Sequence, residues 1–128
     1  MKLMALFSNI TDAKLKDCFT EGDTLYFIVD QHELGRALGK GAQKARLLQE
    51  RLNRKIKIVE FNPDPKEFIK NLVYPSRIKA IEERDATIII EAEDSANRGY
   101  LIGRAAQNLR AYETIAKRYF KIEEIRVL

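Results

Sequence analysis

The chain has 128 residues, with 23 Lys and Arg against 19 Asp and Glu, so it holds one ordinary domain or two small ones and carries a mildly basic net charge of +4. The single cysteine, Cys18, excludes an intrachain disulfide framework and a cysteine-built zinc site, and no apolar run is long enough to cross a membrane. The opening MKLMALFSNI is too short and too weakly apolar for a signal peptide, which makes a cytoplasmic protein the expectation.

In chain order, MALFSNI predicts a short helix. AKLKDCF (13–19) alternates as a strand does, EGD turns the chain, and TLYFIVD (24–30) is a second strand rich in β-branched and aromatic residues. From Glu33 the period becomes helical. Leu34, Leu38, Ala45, Leu48 and Leu52 follow it with an interruption at Gly39 and Gly41, so two helices joined at a turn are expected. KIKIVEF (55–61) closes the unit as a strand. Beyond the prolines at 63 and 65, PKEFIKNLV is a helix, RIKAIEE and ATIIIEA are strands, two helices surround Gly103 as far as about Tyr119, and EEIRVL is a strand.

The second half therefore restates the first. An offset of 64 superposes Gly39 on Gly103, Ala42 on Ala106, Gln43 on Gln107 and Arg46 on Arg110, with Gly35 on Gly99 and Asp30 on Asp94. Leu38 meets Ile102, and Lys40 meets Arg104. The expected fold class is α+β: two tandem α-β-β-α-α-β units, 1–62 and 63–128, with 63–75 serving as linker and first helix. Units this small bury little surface alone, so the two are expected to pack on one another.

Charge is concentrated at the glycine clusters. From Arg36 to Lys57 there are eight Lys or Arg and one acid, Glu50; from Arg98 to Lys121 there are six and one acid, Glu113. Such segregation suits a surface aimed at phosphates. If the second helix of each pair starts just after Gly39 and Gly103, its unpaired N–H groups and macrodipole favour an anion. Glycine removes the side chains that would hold that anion off. Lys40 and Arg104 add cations at the turn, and Leu38, Ala45, Ile102 and Leu109 could floor a groove for bases.

Other glycine motifs do not match. A P-loop needs four residues between its glycine and the Gly-Lys pair and then Ser or Thr, whereas G-R-A-L-G-K has three and continues with Gly41. A dinucleotide fingerprint would require glycine at position 44, which is lysine. Adjacent acids such as Glu82–Glu83 point apart on a strand, no nucleophile sits with a base, and His32 lacks a ligating partner. No enzyme activity, metal or cofactor is expected. Tyr100, Tyr112, Tyr119 and Phe120 recur near helical spacing and are expected in the core rather than stacked on bases.

ALGKGAQKARLL and LIGRAAQNLRAY resemble the V-I-G-x-x-G-x-x-I core of KH domains, with Gly39 and Gly103 as the first motif glycine. The element order resembles the type II KH arrangement. Two such units joined by NPDPKEFIKNLVYPSRIKAI look like the archaeal NusA-like transcription factors, a resemblance covering essentially the whole chain. It implies a monomeric factor of termination or antitermination that binds single-stranded nascent RNA, with RNA polymerase or the elongation complex as partner. KH domains clamp about four nucleotides through this loop. Carried over, the RNA-binding residues are Leu38, Gly39, Lys40, Gly41, Ala42, Lys44 and Arg46 in the first unit. In the second they are Ile102, Gly103, Arg104, Ala105, Ala106, Gln107 and Arg110.

The second motif glycine is alanine in both copies, Ala42 and Ala106. Placed in the first helical turn, alanine would cost little, although its methyl narrows the phosphate approach. Weak single sites, strengthened by two sites on one strand, are therefore expected. Two other readings remain open at this stage. A helix pair around a tight turn also describes a duplex-DNA-binding helix-turn-helix. The alanines also suit a protein-interaction module whose RNA sites have decayed.

Overall fold

Residues 2–128 are described by a computed structural model, and they fall into two compact units, 2–62 and 63–128. The first contains α1 (Lys2–Thr11), β1 (Leu15–Glu21), β2 (Thr24–Val29), α2 (Leu34–Leu38), a 3-10 turn (Lys40–Ala42), α3 (Gln43–Leu52) and β3 (Ile56–Glu60). The second contains α4 (Pro65–Val73), β4 (Ile78–Arg84), β5 (Thr87–Ala92), α5 (Ser95–Ile102), a 3-10 turn (Arg104–Ala106), α6 (Gln107–Lys117) and β6 (Glu124–Val127). The class is α+β, with one three-stranded sheet in each unit.

In each sheet the middle strand pairs antiparallel on one side and parallel on the other, in the orders β1-β2-β3 and β4-β5-β6. The antiparallel pairs need only two-residue turns. Gly22 takes the positive-φ position in the first and Asp85 in the second, with φ 61° and 57°. The parallel pairs require a crossover, and the helix pair supplies it. The topology thus hangs each glycine-rich turn between two elements that are anchored to a sheet.

Anchoring is apolar. In the first unit Phe7 of α1 stacks on Phe27 of β2 at 4.6 Å, and Leu25, Val29, Ala37 and Leu48 complete the buried cluster. In the second, Ile69 and Val73 of α4 meet Ile88 and Ile90 of β5, Leu101 of α5, Ala116 of α6 and Ile125 of β6. Each fully buried aliphatic of this kind contributes about 1.5–3 kcal/mol. Ala37 and Leu101 are what pin the first helix of each pair, two residues before the glycines.

Helix starts follow local chemistry. Pro65 opens α4 behind Asp64, whose carboxylate accepts from the Lys66 amide at 3.0 Å. Asp94 caps α5 by accepting from the Asn97 amide at 2.8 Å and its side chain at 2.9 Å, and those bonds hold its carboxyl below the usual range. Asp30, its counterpart by the repeat, does not cap: α2 starts at Leu34 behind Glu33, without a side-chain cap, and runs only five residues. At the far end, α6 stops at Lys117, two residues before the expected limit, where the Arg118 amide turns back to Ile115.

Candidate nucleic-acid interface

The expectation that the second helix begins directly after Gly39 and Gly103 needs correction. Each glycine is followed by a 3-10 turn, and the α-helix starts four residues on, at Gln43 and Gln107. Inside the turns the backbone is left-handed at two consecutive residues: Gly41 and Ala42, both at φ 60°, and Ala105 and Ala106, at φ 53° and 60°. Ala42 and Ala106 are therefore not in a first helical turn. They occupy a conformation that costs an L-residue roughly 1–2 kcal/mol and glycine almost nothing.

Accounting for the turn amides locates what faces solvent. The Gly39 and Gly103 amides bond back to Gly35 and Gly99 at 3.0 and 2.8 Å, and the Ala42 and Ala106 amides to Gly39 and Gly103 at 3.0 and 3.2 Å. Gln43 and Gln107 close on the Lys40 and Arg104 carbonyls. Among the described residues, no partner is found for the amides of Lys40 and Gly41 or of Arg104 and Ala105. These four residues are exposed, and a Cβ built on Gly41 would meet nothing within 4 Å. Each turn thus presents two adjacent bare N–H groups beside one basic side chain.

Behind the turn the structure is closed. Gly39 and Gly103 have φ 74° and ψ 175°, a region essentially confined to glycine. A Cβ there would sit 2.7 Å from Cγ of Lys44 in one unit and 2.7 Å from Cγ of Asn108 in the other. These two side chains, also 64 apart, are buttresses. The Lys44 ammonium donates to the carbonyls of Thr11 at 3.1 Å and Arg36 at 3.2 Å, tying together the ends of α1 and α2. Asn108 Nδ2 donates to the Tyr100 carbonyl at 2.8 Å.

Other predicted site residues divide in the same way. Arg46 turns inward along the surface and donates from Nη1 to the Gly41 carbonyl at 2.6 Å, steadying the turn. Gln107 and Arg110 are exposed on α6, and Leu38, Ala45, Ile102 and Leu109 are half-buried beside the turns, available as an apolar floor. Lys57 lies half-buried in β3, where burial, reinforced by Lys55, lowers its pKa to about 8. Not every basic residue of the first window is therefore a surface cation.

Two features escaped the sequence reading. Asn108 carried no signal beyond standing 64 residues after Lys44, another long side-chain donor. Tyr100, expected in the core, is instead 68% exposed on α5, while Tyr112, of the same series, packs against the second core. The reason is helical phase: Leu101 takes the inward position, which turns its neighbour out.

Ala106→Gly is expected to stabilise the protein by about 0.5–1 kcal/mol, because relief of the left-handed alanine exceeds the extra chain entropy of glycine. Urea unfolding checks it. The gain should be larger for Ala105→Gly with Ala106→Gly together, and a loss of stability would show that the second turn is unstrained.

Fold and turns together define an α+β protein with a duplicated basic turn, each copy bearing open amides and seated between two helices. No family model matches the sequence. The chain is 30% identical to the probable transcription termination protein NusA of Halococcus morrhuae, over 98% of this chain and 91% of that one. Identity is 28% to the protein of the same name from Halobacterium salinarum, over 98% and 92%. It is 26% to that of Methanocaldococcus jannaschii, over 98% of this chain and 70% of the relative. The protein belongs to this archaeal NusA family. Its fold is also similar to the crystal structure of APE1850, with a TM-score of 0.76 and 26% identity, covering 99% of this chain and 96% of that one. Among the described residues no helix is long and apolar enough to cross a membrane, and no cluster of His, Cys, Asp or Glu could hold a metal ion.

Proposed function

We propose that the two units are tandem type II KH domains and that the protein is a transcription termination or antitermination factor that binds single-stranded nascent RNA through its two glycine-rich turns. The observation that carries this reading is the repeated pair of unbonded amides at Lys40–Gly41 and Arg104–Ala105, each exposed and each beside a cation. Successive amides in a turn form a concavity for a phosphate oxygen, and the following helix adds the positive end of its dipole. Lys40 and Arg104 supply charge that bare amides lack. Leu38 with Ala45, and Ile102 with Leu109, give the bases an apolar surface.

Lys44 does not belong to the phosphate contacts in this reading; it and Asn108 hold the turn, and Arg46 steadies it from the side. Arg110 and Gln107 stay in the binding set. The methyl groups of Ala42, Ala105 and Ala106 narrow each approach, so single sites are weak and a strand reaching both units gains by effective concentration. The protein works in the cytoplasm with RNA polymerase or the elongation complex, and no catalytic step is assigned to it.

The deciding experiment is a titration of labelled single-stranded RNA and of duplex DNA of the same sequence. RNA is expected to bind more tightly. Its log affinity should fall with log salt at a slope near −3, as about four phosphate contacts on a single strand require. Preference for the duplex would instead support a helix-turn-helix, and no binding of either would support a protein-interaction module.

A further inference from the structure

We infer that Tyr100 is a base-stacking platform belonging to the second turn and absent from the first, so that the two units read RNA differently. This rests on the RNA-binding reading above and adds to it a residue that holds bases where the turn holds phosphate. Tyr100 is 68% exposed, and among the described residues its ring packs on no other ring. It lies in the last turn of α5, three residues before Gly103 and the glycine-rich turn. Its backbone is held to that turn, because the Tyr100 carbonyl accepts from Asn108 Nδ2 at 2.8 Å.

A second observation is independent of the tyrosine. Gly99 lies inside α5 without a positive φ, and a Cβ on it would meet nothing within 4 Å. The fold does not require glycine there, and glycine weakens a helix relative to alanine. The missing side chain leaves open space on the helix at the residue before the tyrosine and four before Gly103, where a base has room to lie. An aromatic side chain with two torsions, fixed next to a phosphate-gripping turn, suits bases of any sequence because each offers a π-face. The first unit keeps the open glycine, Gly35, but carries Arg36 in place of the tyrosine. A guanidinium acts on phosphate as readily as on a base, so the first unit contributes mainly charge.

The test uses the whole protein with two fluorescent probes: an adenine-rich RNA of about ten nucleotides, and an abasic ribose-phosphate strand of equal length. Tyr100→Ala is expected to weaken RNA binding about ten-fold, leave the salt slope unchanged and leave abasic binding unchanged. Tyr100→Trp should retain affinity, and its emission, the only indole signal in a chain without tryptophan, should be quenched by the RNA. Gly99→Leu should weaken RNA binding without lowering the melting temperature, a combination that a purely structural role cannot produce. If Tyr100→Ala binds RNA within two-fold of the wild type while charge reversal at Lys40 and Arg104 abolishes binding, the platform is wrong and the RNA reading stands. Equal losses on the abasic strand would also overturn the platform. No RNA binding by the wild type would overturn both.

Discussion

Gly103→Ala is expected to destabilise the second unit by about 3 kcal/mol, and Gly99→Ala, four residues earlier, to stabilise it by about 0.5–1 kcal/mol. The contrast arises from backbone and space together. Gly103 sits at φ 74° and ψ 175°, and a Cβ would lie 2.7 Å from Cγ and 2.8 Å from Nδ2 of Asn108. The backbone term alone costs of order 1–3 kcal/mol. The clash adds to it, because Asn108 must leave the Tyr100 carbonyl to make room. At Gly99 the conformation is helical and the space is open, so alanine gains helix propensity and meets nothing. For a unit of this size 3 kcal/mol shifts Tm by roughly 12–24 °C, readable as early melting of α5 and α6 by amide exchange. A Gly103→Ala protein melting within 2 °C of the wild type would mean that the turn is not held as described. Gly39→Ala should behave alike against Lys44, whose Cγ is equally close.

Reversing both turn cations, Lys40→Glu with Arg104→Glu, is expected to weaken single-stranded RNA binding by about 100-fold or more while leaving the fold intact. Each charge-assisted contact to phosphate is worth roughly 1.5–3 kcal/mol, and two are removed. The new carboxylates add repulsion next to the open amides at Lys40–Gly41 and Arg104–Ala105. Stability should hold, since both side chains are exposed and neither has a partner among the described residues. Fluorescence anisotropy at fixed low salt reads the loss, and in a salt titration the slope should become shallower by about 0.7 for each contact removed. The single variants divide the effect between the units. Unchanged affinity in the double variant would remove the turns from the interface.

Much of this was legible because it is local. Strands β2 and β5 announce themselves as TLYFIV and TIIIEA, runs of β-branched and aromatic residues bounded by polar turns. The helix pairs follow from apolar spacing: of the residues that carry it in the first unit, Leu48 is buried and Leu34, Leu38, Ala45 and Leu52 are half-buried. The exposure of Lys40 and Arg104 and the glycine-only geometry of Gly39 and Gly103 accord with their place between two helical patterns. The errors were of another kind. Placing Ala42 and Ala106 in a helical turn used a propensity that is correct for alanine in general, and the turn overrode it. For Lys44, expected at phosphate, the structure adds a role that the sequence does not carry, because its ammonium bridges two helix ends.

What the sequence determined by itself is whatever depends on neighbours within one or two turns: the succession of elements, the duplication at an interval of 64, and the basic glycine-rich turns. What only the tertiary structure decided is which groups at those turns are free. The Lys44 ammonium reaches the Thr11 carbonyl 33 residues away, Asn108 holds the carbonyl of Tyr100, and Leu101 fills the core and so turns Tyr100 outward. Each outcome depends on where distant segments bring a donor, an acceptor or an apolar surface together. Local pattern cannot state that, because a hydrogen bond or a buried contact exists only once both partners have been placed.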